Sequence, residues 1–361
     1  MQFNKKILVV ENLYPLQTRS FRIENSLVNN DQDVDSIMWN RNGVEVTNEK
    51  NHFVFTKISR NKFRKLISIY SYYKFIKQQL KKKDYDVLIA SHWDMLFLCF
   101  LLKKKNQNLV YDNLDMPTHK YFVVRKFFRI LELIALLRTD GIIYASRFFK
   151  EFYSSKIPSV VIENKPLKYI TKDYKSINNE GGKLTVAFLG TLRYIKSLKI
   201  LMDAVGNLPN MNLIIKGSGF AEELIEYKKQ KGYPNVTLEV GWYNYDDLGK
   251  LFLKTDLIWA AYPSKDFNVK YAISNKYFES LIFNKPCIFA ENTKLGDFVI
   301  ANNLGFTVDP YNKLAIESLL IKINNNRPVI NKVKTSQVNH SLNEKFWEDE
   351  EKKLIPFILN L

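Results

Sequence analysis

The chain has 361 residues, 46% of them hydrophobic, which suits two globular domains with ordinary cores and argues against disorder. Cys99 and Cys287 lie in apolar runs and predict buried free thiols, which excludes a disulfide-stabilised scaffold. The net charge of +17 is uneven: residues 1–175 carry +14 (31 basic, 17 acidic) and residues 176–361 carry +3 (23 basic, 20 acidic). The first half is therefore expected to meet an anionic partner: anionic lipid, a lipid diphosphate or nucleic acid.

The apolar runs predict no segment that crosses a membrane. The first predicted strand, Ile7–Val10, is too short for the core of a signal peptide. The longest wholly apolar run, Met95–Leu102, is far below the ~18 residues needed to span a bilayer. We therefore expect a cytoplasmic protein that at most lies peripherally on the inner face of a membrane.

The first half, residues 1–170, alternates short apolar strands with helices. The predicted strands are Ile7–Val10, Asp86–Ala90, Leu109–Asp112, Gly141–Tyr144 and Val160–Ile162. Continuous apolar strands are typical of a parallel sheet that is covered on both faces. Strands and helices in alternation predict an α/β, doubly wound domain.

Two helices of this half, over residues 63–83 and 120–138, combine an apolar stripe with many lysines and arginines. One interpretation is that both are ordinary helices that pack on the sheet and leave their lysines in water. The other is that they form a basic amphipathic surface that rests on acidic lipid. The charge asymmetry favours the second interpretation.

A polar stretch that ends in Asn178-Asn-Glu-Gly-Gly-Lys183 predicts a linker over residues 171–183. A second α/β series follows over residues 184–335. Its predicted strands are Leu184–Leu189, Asn212–Ile215, Val236–Glu239, Leu257–Trp259, Pro286–Phe289 and Gly305–Val308. The chain is therefore expected to form two tandem Rossmann-like domains, and ligands of such sheets bind at the carboxyl ends of the strands.

Loops after the first three strands of the second series carry residues that suit a nucleotide. Glycine after a strand lets the backbone approach a phosphate, basic residues add charge-assisted hydrogen bonds, and an aromatic ring stacks on a base. The alternatives are tight turns and a core aromatic residue. The candidate donor-binding residues here are Gly190, Arg193, Lys196, Gly217, Gly219 and Tyr243.

The most specific element begins with Ser274-Asn275-Lys276 and continues to Glu279, just before Lys285-Pro286. Lys276 and Glu279 are three residues apart on a predicted helix and therefore share a face. A cation for phosphate and an acceptor for ribose hydroxyls is the chemistry that a sugar nucleotide requires. The alternative is a surface salt bridge.

The order of these four elements resembles the donor-binding half of GT-B glycosyltransferases, most closely glycosyltransferase family four and its relatives in capsule and exopolysaccharide synthesis. The first half resembles the family's acceptor half more loosely. The segment Glu344–Trp347 and its helix, within residues 336–361, resemble the segment that crosses back onto the first domain. The first-half segments that carry the likeness are Tyr85–Ala90, Val110–Asp115, Asp140–Ser146 and Val161–Asn164.

The resemblance implies the GT-B fold: two Rossmann-like domains with a cleft between them and a C-terminal crossover helix. It also implies a hexosyltransferase that takes a sugar from a UDP- or GDP-sugar and uses no cofactor. The acceptor would be a glycan, expected to be lipid-linked, in bacterial surface polysaccharide synthesis.

Site residues follow from the resemblance by position. Lys276 would contact the donor diphosphate, and Glu279 would accept hydrogen bonds from the ribose. Arg193 and Lys196 would flank the phosphates, and Gly190 would allow their close approach.

Three positions depart from the family pattern. Tyr271 stands where the family has the first glutamate of a pair, Thr191 where an arginine is common, and Leu114 where a histidine is common. Family four retains the anomeric configuration, whereas some GT-B relatives invert it with an aspartate base. The departures leave both outcomes open.

Two residues of the first half are candidates for catalysis. Asp115 follows a predicted strand and is a candidate base. His92 follows another, with Asp94 beside it, and is the second candidate; a structural histidine is the alternative.

No metal site is expected, since no His/Cys cluster has the spacing of metal ligands. Asp84-x-Asp86 begins a predicted strand rather than ending one, and Asp31, Asp33 and Asp35 are predicted to lie in a polar turn. Two other functions remain as alternatives. A GT-B sugar-nucleotide epimerase would need no basic acceptor domain. A basic nucleic-acid-binding protein would show a recognisable module, and the sequence contains none, so no nucleic-acid partner is expected.

Overall fold

The computed structural model describes residues 4–47, 49–58, 62–172, 174, 182–340 and 345–361. Most of the predicted linker over residues 171–183 lies outside these residues, as does Glu344. The chain forms two compact units, which we call unit 1 (Met1–Glu163 with Glu350–Leu361) and unit 2 (Asn164–Asp349).

Unit 1 is built on a parallel sheet of seven strands in the order β3-β2-β1-β4-β5-β6-β7. Because β1 lies between β2 and β4, the chain changes direction across the sheet at the carboxyl ends of β1 and β4. The strands are β1 Lys6–Glu11, β2 Asp33–Asn40, β3 His52–Thr56, β4 Val87–Ser91, β5 Asn108–Asn113, β6 Gly141–Tyr144 and β7 Ser159–Val161. The helices are α1 Thr18–Val28, α2 Lys62–Lys82, α3 His92–Leu102 and α4 Phe122–Leu136.

Unit 2 is built on a second parallel sheet, of six strands in the order β10-β9-β8-β11-β12-β13. The strands are β8 Leu184–Leu189, β9 Met211–Gly217, β10 Val236–Val240, β11 Leu257–Ala260, β12 Cys287–Ala290 and β13 Gly305–Val308. The helices are α5 Ile195–Gly206, α6 Glu222–Lys231, α7 Leu248–Leu253, α8 Phe267–Tyr271, α9 Asn275–Phe283, α10 Lys294–Ala301, α11 Lys313–Asn325 and α12 Pro328–His340.

The last helix, α13 Trp347–Leu359, begins in unit 2 and belongs to unit 1 from Glu350 onward. The carboxylate of Glu350 accepts a hydrogen bond from the backbone N–H of Glu163 at 2.7 Å. Gly141 allows the close approach, because a Cβ there would lie 2.9 Å from Phe357 and from Leu361. The fold is thus α/β, with two doubly wound Rossmann-like units and a C-terminal crossover helix.

The predicted strands of both units are present, but two strands of unit 1 were missed. The polar turn predicted around Asp31, Asp33 and Asp35 is wrong for the last two, because β2 begins at Asp33. Asp35 is buried in this strand, where it accepts a hydrogen bond from the Tyr85 hydroxyl at 2.6 Å and pairs with Lys83 at 2.8 Å. Partners on neighbouring segments make a carboxylate acceptable inside the sheet.

Both cysteines are buried free thiols, as predicted. Burial raises the pKa of the Cys99 thiol to about 12. Within the described ranges, no helix is long and apolar enough to cross a membrane.

Candidate functional site

The carboxyl ends of β8 and β9 approach each other more closely than side chains would permit. A Cβ at Gly217 would lie 1.7 Å from the carbonyl oxygen of Gly190, so only glycine fits there. The backbone N–H of Gly190 donates to the Lys216 carbonyl at 3.0 Å, which holds the two strand ends together. This edge of unit 2 therefore presents backbone rather than side chains.

Gly219, two residues after Gly217, makes a similarly close backbone contact. Its φ of 137° lies in the region that favours glycine. A Cβ there would lie 2.7 Å from the Leu192 carbonyl oxygen, and Leu192 forms a parallel bridge to Gly219. The two predicted glycine loops thus form one surface, on which a phosphate can meet backbone without a side chain in between.

Lys276 and Glu279 form a buried ion pair in the first turns of α9. Their Nζ and Oε2 atoms lie 2.5 Å apart, and both side chains are more than 90% buried. Burial disfavours the charged lysine, but the nearby carboxylate outweighs it, so the pKa of Lys276 is raised. The interpretation as a surface salt bridge is therefore wrong, because the pair is enclosed by protein.

The helix that carries this pair is fixed at its start. Ser274 is the N-cap residue, and its hydroxyl accepts from the Lys276 backbone N–H at 3.2 Å. Asn275 is the first helical residue and is exposed. The predicted start of the helix near Ser274 is confirmed, and the positive end of its dipole lies beside the ion pair.

Two tyrosines extend the cluster around Lys276. The Tyr243 hydroxyl lies near the Lys276 side chain, and the Tyr262 hydroxyl lies near the Ser274 side chain. Burial raises the pKa of both phenols. Tyr262 was missed by the sequence analysis, although its position just after β11 was a usable signal.

The aromatic residue open to solvent at this edge is Trp242 rather than Tyr243. Trp242 is 79% exposed, directly after Gly241 at the end of β10. Tyr243 is turned towards Lys276. From the sequence, Tyr243 is the candidate for stacking on a base. In the structure, the ring that is open to solvent at this position is that of the neighbouring Trp242.

Arg193 and Lys196 are exposed on the loop and first turn that follow β8. The Arg193 guanidinium lies 4.8 Å from the centre of the Tyr194 ring. Lys196 is the second residue of α5. Both cations are thus available to an anion from solvent, in contrast to the buried Lys276.

The corresponding edge of unit 1 is filled by side chains that bind one another. Glu11, the last residue of β1, is fully buried and accepts a hydrogen bond from the Ser20 hydroxyl at 2.6 Å. Burial raises the pKa of this carboxyl group. Asp112 in β5 forms a buried ion pair with Arg19 at 2.8 Å.

His92 and Asp94 lie at this edge, directly after β4. His92 has a φ of 69°, and its Nε2 lies 3.1 Å from the side-chain amide nitrogen of Gln17. Asp94 accepts from the Asn12 side chain at 3.1 Å and pairs with Arg41 at 3.6 Å.

Asp115 lies two residues after β5 and is exposed. Asp86, the second aspartate of Asp84-x-Asp86, accepts a hydrogen bond from the backbone N–H of Lys6 at 2.8 Å, at the opposite edge of the sheet. Across the part of the chain that the structure describes, no group of three or more His, Cys, Asp or Glu residues is placed to hold a metal ion.

The fold is shared with solved GT-B glycosyltransferases. The chain matches sucrose-phosphate synthase from Thermosynechococcus elongatus with a TM-score of 0.77 and 12% identity, over 99% of each chain. It matches Anabaena HepE in complex with UDP-glucose at 0.73 and 14%, over 99% of this chain and 100% of that one. It matches WaaG, a glycosyltransferase involved in lipopolysaccharide biosynthesis, at 0.70 and 14%, over 98% and 99%.

The chain therefore has the fold of the GT-B glycosyltransferases. Residues 170–338, which make up most of unit 2, match the family described as "Glycosyl transferases group 1". No curated protein matches the sequence.

Proposed function

We propose that the protein transfers a hexose from a UDP- or GDP-sugar to a lipid-linked glycan acceptor in bacterial surface polysaccharide synthesis. The observation that supports the donor half is the buried Lys276–Glu279 pair, which lies at a helix start in a sheet edge lined by glycine backbone. The solved neighbours support a uridine nucleotide first, because HepE was crystallised with UDP and with UDP-glucose.

The donor diphosphate is proposed to contact three parts of unit 2: glycine backbone, two exposed cations and one buried lysine. The backbone at Gly190 and Gly217 admits the diphosphate, and the exposed Arg193 and Lys196 contact its outer oxygens. Lys276 contacts the diphosphate from within the protein, where low polarity strengthens its effect. Glu279, which binds Lys276 in the structure, also accepts from the ribose hydroxyls.

The chemical step leaves a nucleoside diphosphate whose charge increases as the glycosidic bond breaks. Lys276, Arg193, Lys196 and the start of α9 are proposed to stabilise this charge as fixed electrostatic groups, without a divalent metal. In unit 1, Asp115 and His92 are the proposed catalytic residues on the acceptor side. Asp115 is exposed to an incoming hydroxyl, and His92 is held by Gln17.

The acceptor and the location are proposed from charge. Unit 1 contains most of the basic half of the sequence, and a surface of that sign suits the phosphates of a lipid diphosphate and of an anionic inner leaflet. The lipopolysaccharide role of WaaG supports an acceptor of this kind. The function of an epimerase would not require the positive charge of unit 1. The match to the family "Glycosyl transferases group 1" favours a transferase over a nucleic-acid-binding protein.

A thermal-shift panel tests the donor proposal. UDP-, GDP-, dTDP- and CMP-sugars are each added to the protein with EDTA present. We expect one UDP- or GDP-sugar to raise the melting temperature, because a ligand that binds the native state stabilises it. No shift with any diphosphate sugar, or a shift that requires manganese, would contradict the proposal.

A further inference from the structure

The helix α4 of unit 1 presents an apolar face to solvent. Val123 is 76% exposed and Leu137, just beyond the helix, is 82% exposed. The residues of this face recur at the three- and four-residue spacing of one helix side. They are Val123, Phe127, Ile130, Ile134 and Leu137, which we call the apolar stripe. A contiguous exposed apolar patch of this kind marks an interaction surface.

The opposite face of α4 is already committed to the interior of unit 1. Glu132 is fully buried and accepts hydrogen bonds from the hydroxyls of Tyr111 at 2.8 Å and Tyr153 at 2.6 Å. It is also paired with Arg129. Turning the apolar stripe inward would break these bonds and leave a buried carboxylate without partners, so the stripe stays outside.

The charged groups beside the stripe are cations. Between Lys120 and Arg138, a segment that the structure describes in full, Glu132 is the one acidic residue, and it faces inward. The Lys126 ammonium lies 4.6 Å from the centre of the exposed Phe122 ring. Lysine beside an exposed aromatic ring suits a headgroup boundary, where the ring enters the apolar layer and the ammonium stays with phosphate.

The other basic helix, α2, differs in this respect. Its apolar residues Tyr72, Ile76 and Leu80 are buried against the sheet. Its exposed side includes Lys74 and Lys77. In its described part, α2 also exposes Ile67 and Tyr70, but these do not continue along the helix, whereas α4 combines charge with an apolar stripe along its whole length.

We propose that α4 lies in the interface of an anionic lipid leaflet, with the apolar stripe inserted and the flanking lysines and arginines on the headgroups. This inference rests on the proposed membrane-facing role of unit 1 and assigns that role to one helix. A leaflet fits the surface better than a second copy of the chain, because two copies would bring like charges together.

Insertion of the apolar stripe into a leaflet and attraction by charge alone differ in how vesicle binding depends on salt. Attraction between lysines and headgroups is screened by salt, while burial of apolar side chains is not. The 361-residue protein is therefore expected to bind vesicles of equal parts phosphatidylcholine and phosphatidylglycerol, and to stay partly bound in about 1 M sodium chloride. Binding to pure phosphatidylcholine vesicles should be weaker, because the attraction of the headgroups is missing.

The test compares two sets of exposed positions in co-sedimentation. The stripe variant carries Val123→Ser, Phe127→Ser and Leu137→Ser. The control variant carries Ile67→Ser and Tyr70→Ser on α2, two exposed apolar residues outside the stripe. We expect the stripe variant to partition onto anionic vesicles at least ~10-fold less, which is about 1.4 kcal/mol. The control variant should partition like the wild type.

Two outcomes would overturn the inference. One is complete release of the wild type in molar salt with equal partition of both variants, which would leave charge as the whole cause. The other is that light scattering shows a dimer for the wild type and a monomer for the stripe variant, and that neither protein binds vesicles. The vesicles contain neither donor nor acceptor, so a failure of the proposed sugar transfer would not change either result.

Discussion

The two sheets have similar topology, but their carboxyl edges are built differently. In unit 2, Gly190 and Gly217 meet through backbone, and the charged side chains nearby are a buried pair and two exposed cations. In unit 1, side chains close the edge on themselves, as in the Glu11–Ser20 bond and the Arg19–Asp112 ion pair.

The difference suggests what each edge accommodates. A diphosphate needs backbone donors and cations at close range, and side chains at the strand ends would hold it away. A sugar acceptor needs positioned polar groups, and a network whose members are already satisfied is rigid enough to provide them. Substitutions at one edge therefore separate the role of that edge from the role of the other.

The largest effect is expected from Gly217→Ala. The added Cβ would overlap the Gly190 carbonyl oxygen, so the strand ends must separate. We expect donor binding to weaken by about 100-fold and the free energy of unfolding to fall by about 1–3 kcal/mol. Gly182→Ala is the matched control, because no atom lies within 4 Å of a Cβ there. Calorimetry measures the donor affinity and the free energy of unfolding. Normal donor affinity in Gly217→Ala would show that this edge of unit 2 is not the donor site.

The ion pair of α9 comes next. Lys276→Met leaves Glu279 buried without its partner and should cost about 3–5 kcal/mol of stability. The double variant Lys276→Met with Glu279→Leu should recover most of that loss. Both proteins should lose at least ~10-fold in kcat/KM, since a charged hydrogen bond contributes roughly 1.5–3 kcal/mol. Near-normal turnover in the stable double variant would make the pair a purely structural feature.

A smaller effect tests the edge of unit 1. Burial raises the pKa of Glu11, so the folded protein disfavours its ionised form. The unfolded chain ionises above about pH 4.3, and wild-type stability therefore falls as the pH rises through the folded pKa. Glu11→Gln removes this titration, so its stability relative to wild type should increase between acidic and neutral pH. Urea unfolding across that range measures it, and a constant difference would contradict the burial argument.

The smallest effect is expected at Lys196, which is exposed on the first turn of α5. Lys196→Ala should raise the KM for the donor by about 2- to 5-fold with little change in kcat, as expected for an exposed charge. Lys229→Ala, an exposed lysine on α6, is the control and should leave KM unchanged. Equal KM values in the two variants would remove Lys196 from the donor site.

The sequence predicts unit 2 better than unit 1 for a physical reason. Its six strands are short apolar runs, and all six were predicted. In unit 1, β2 begins Asp33-Val-Asp35-Ser, a pattern typical of a turn. It is a strand because Lys83 and Tyr85, about 50 residues later, bind Asp35. Partners so distant in the sequence leave no local signal.

The same limit applies to the site. The spacing of Lys276 and Glu279 predicted that they share a helix face, and the ion pair confirms it. Their burial was not predictable, because Tyr243 and the other surrounding residues come from separate loops. Likewise, the sequence contains two adjacent aromatic residues after β10, and local pattern does not say that Trp242 is the exposed one.

Hydrogen–deuterium exchange of the full-length protein tests the donor assignment most directly. The ligand is the nucleoside diphosphate whose sugar gives the largest thermal shift, at saturation and with EDTA present. We predict slower exchange at Gly190–Arg193, Gly217–Phe220 and Ser274–Glu279, with little change at Ser91–Asp94. Slower exchange confined to Ser91–Asp94 and the end of β1, with none in unit 2, would contradict the account.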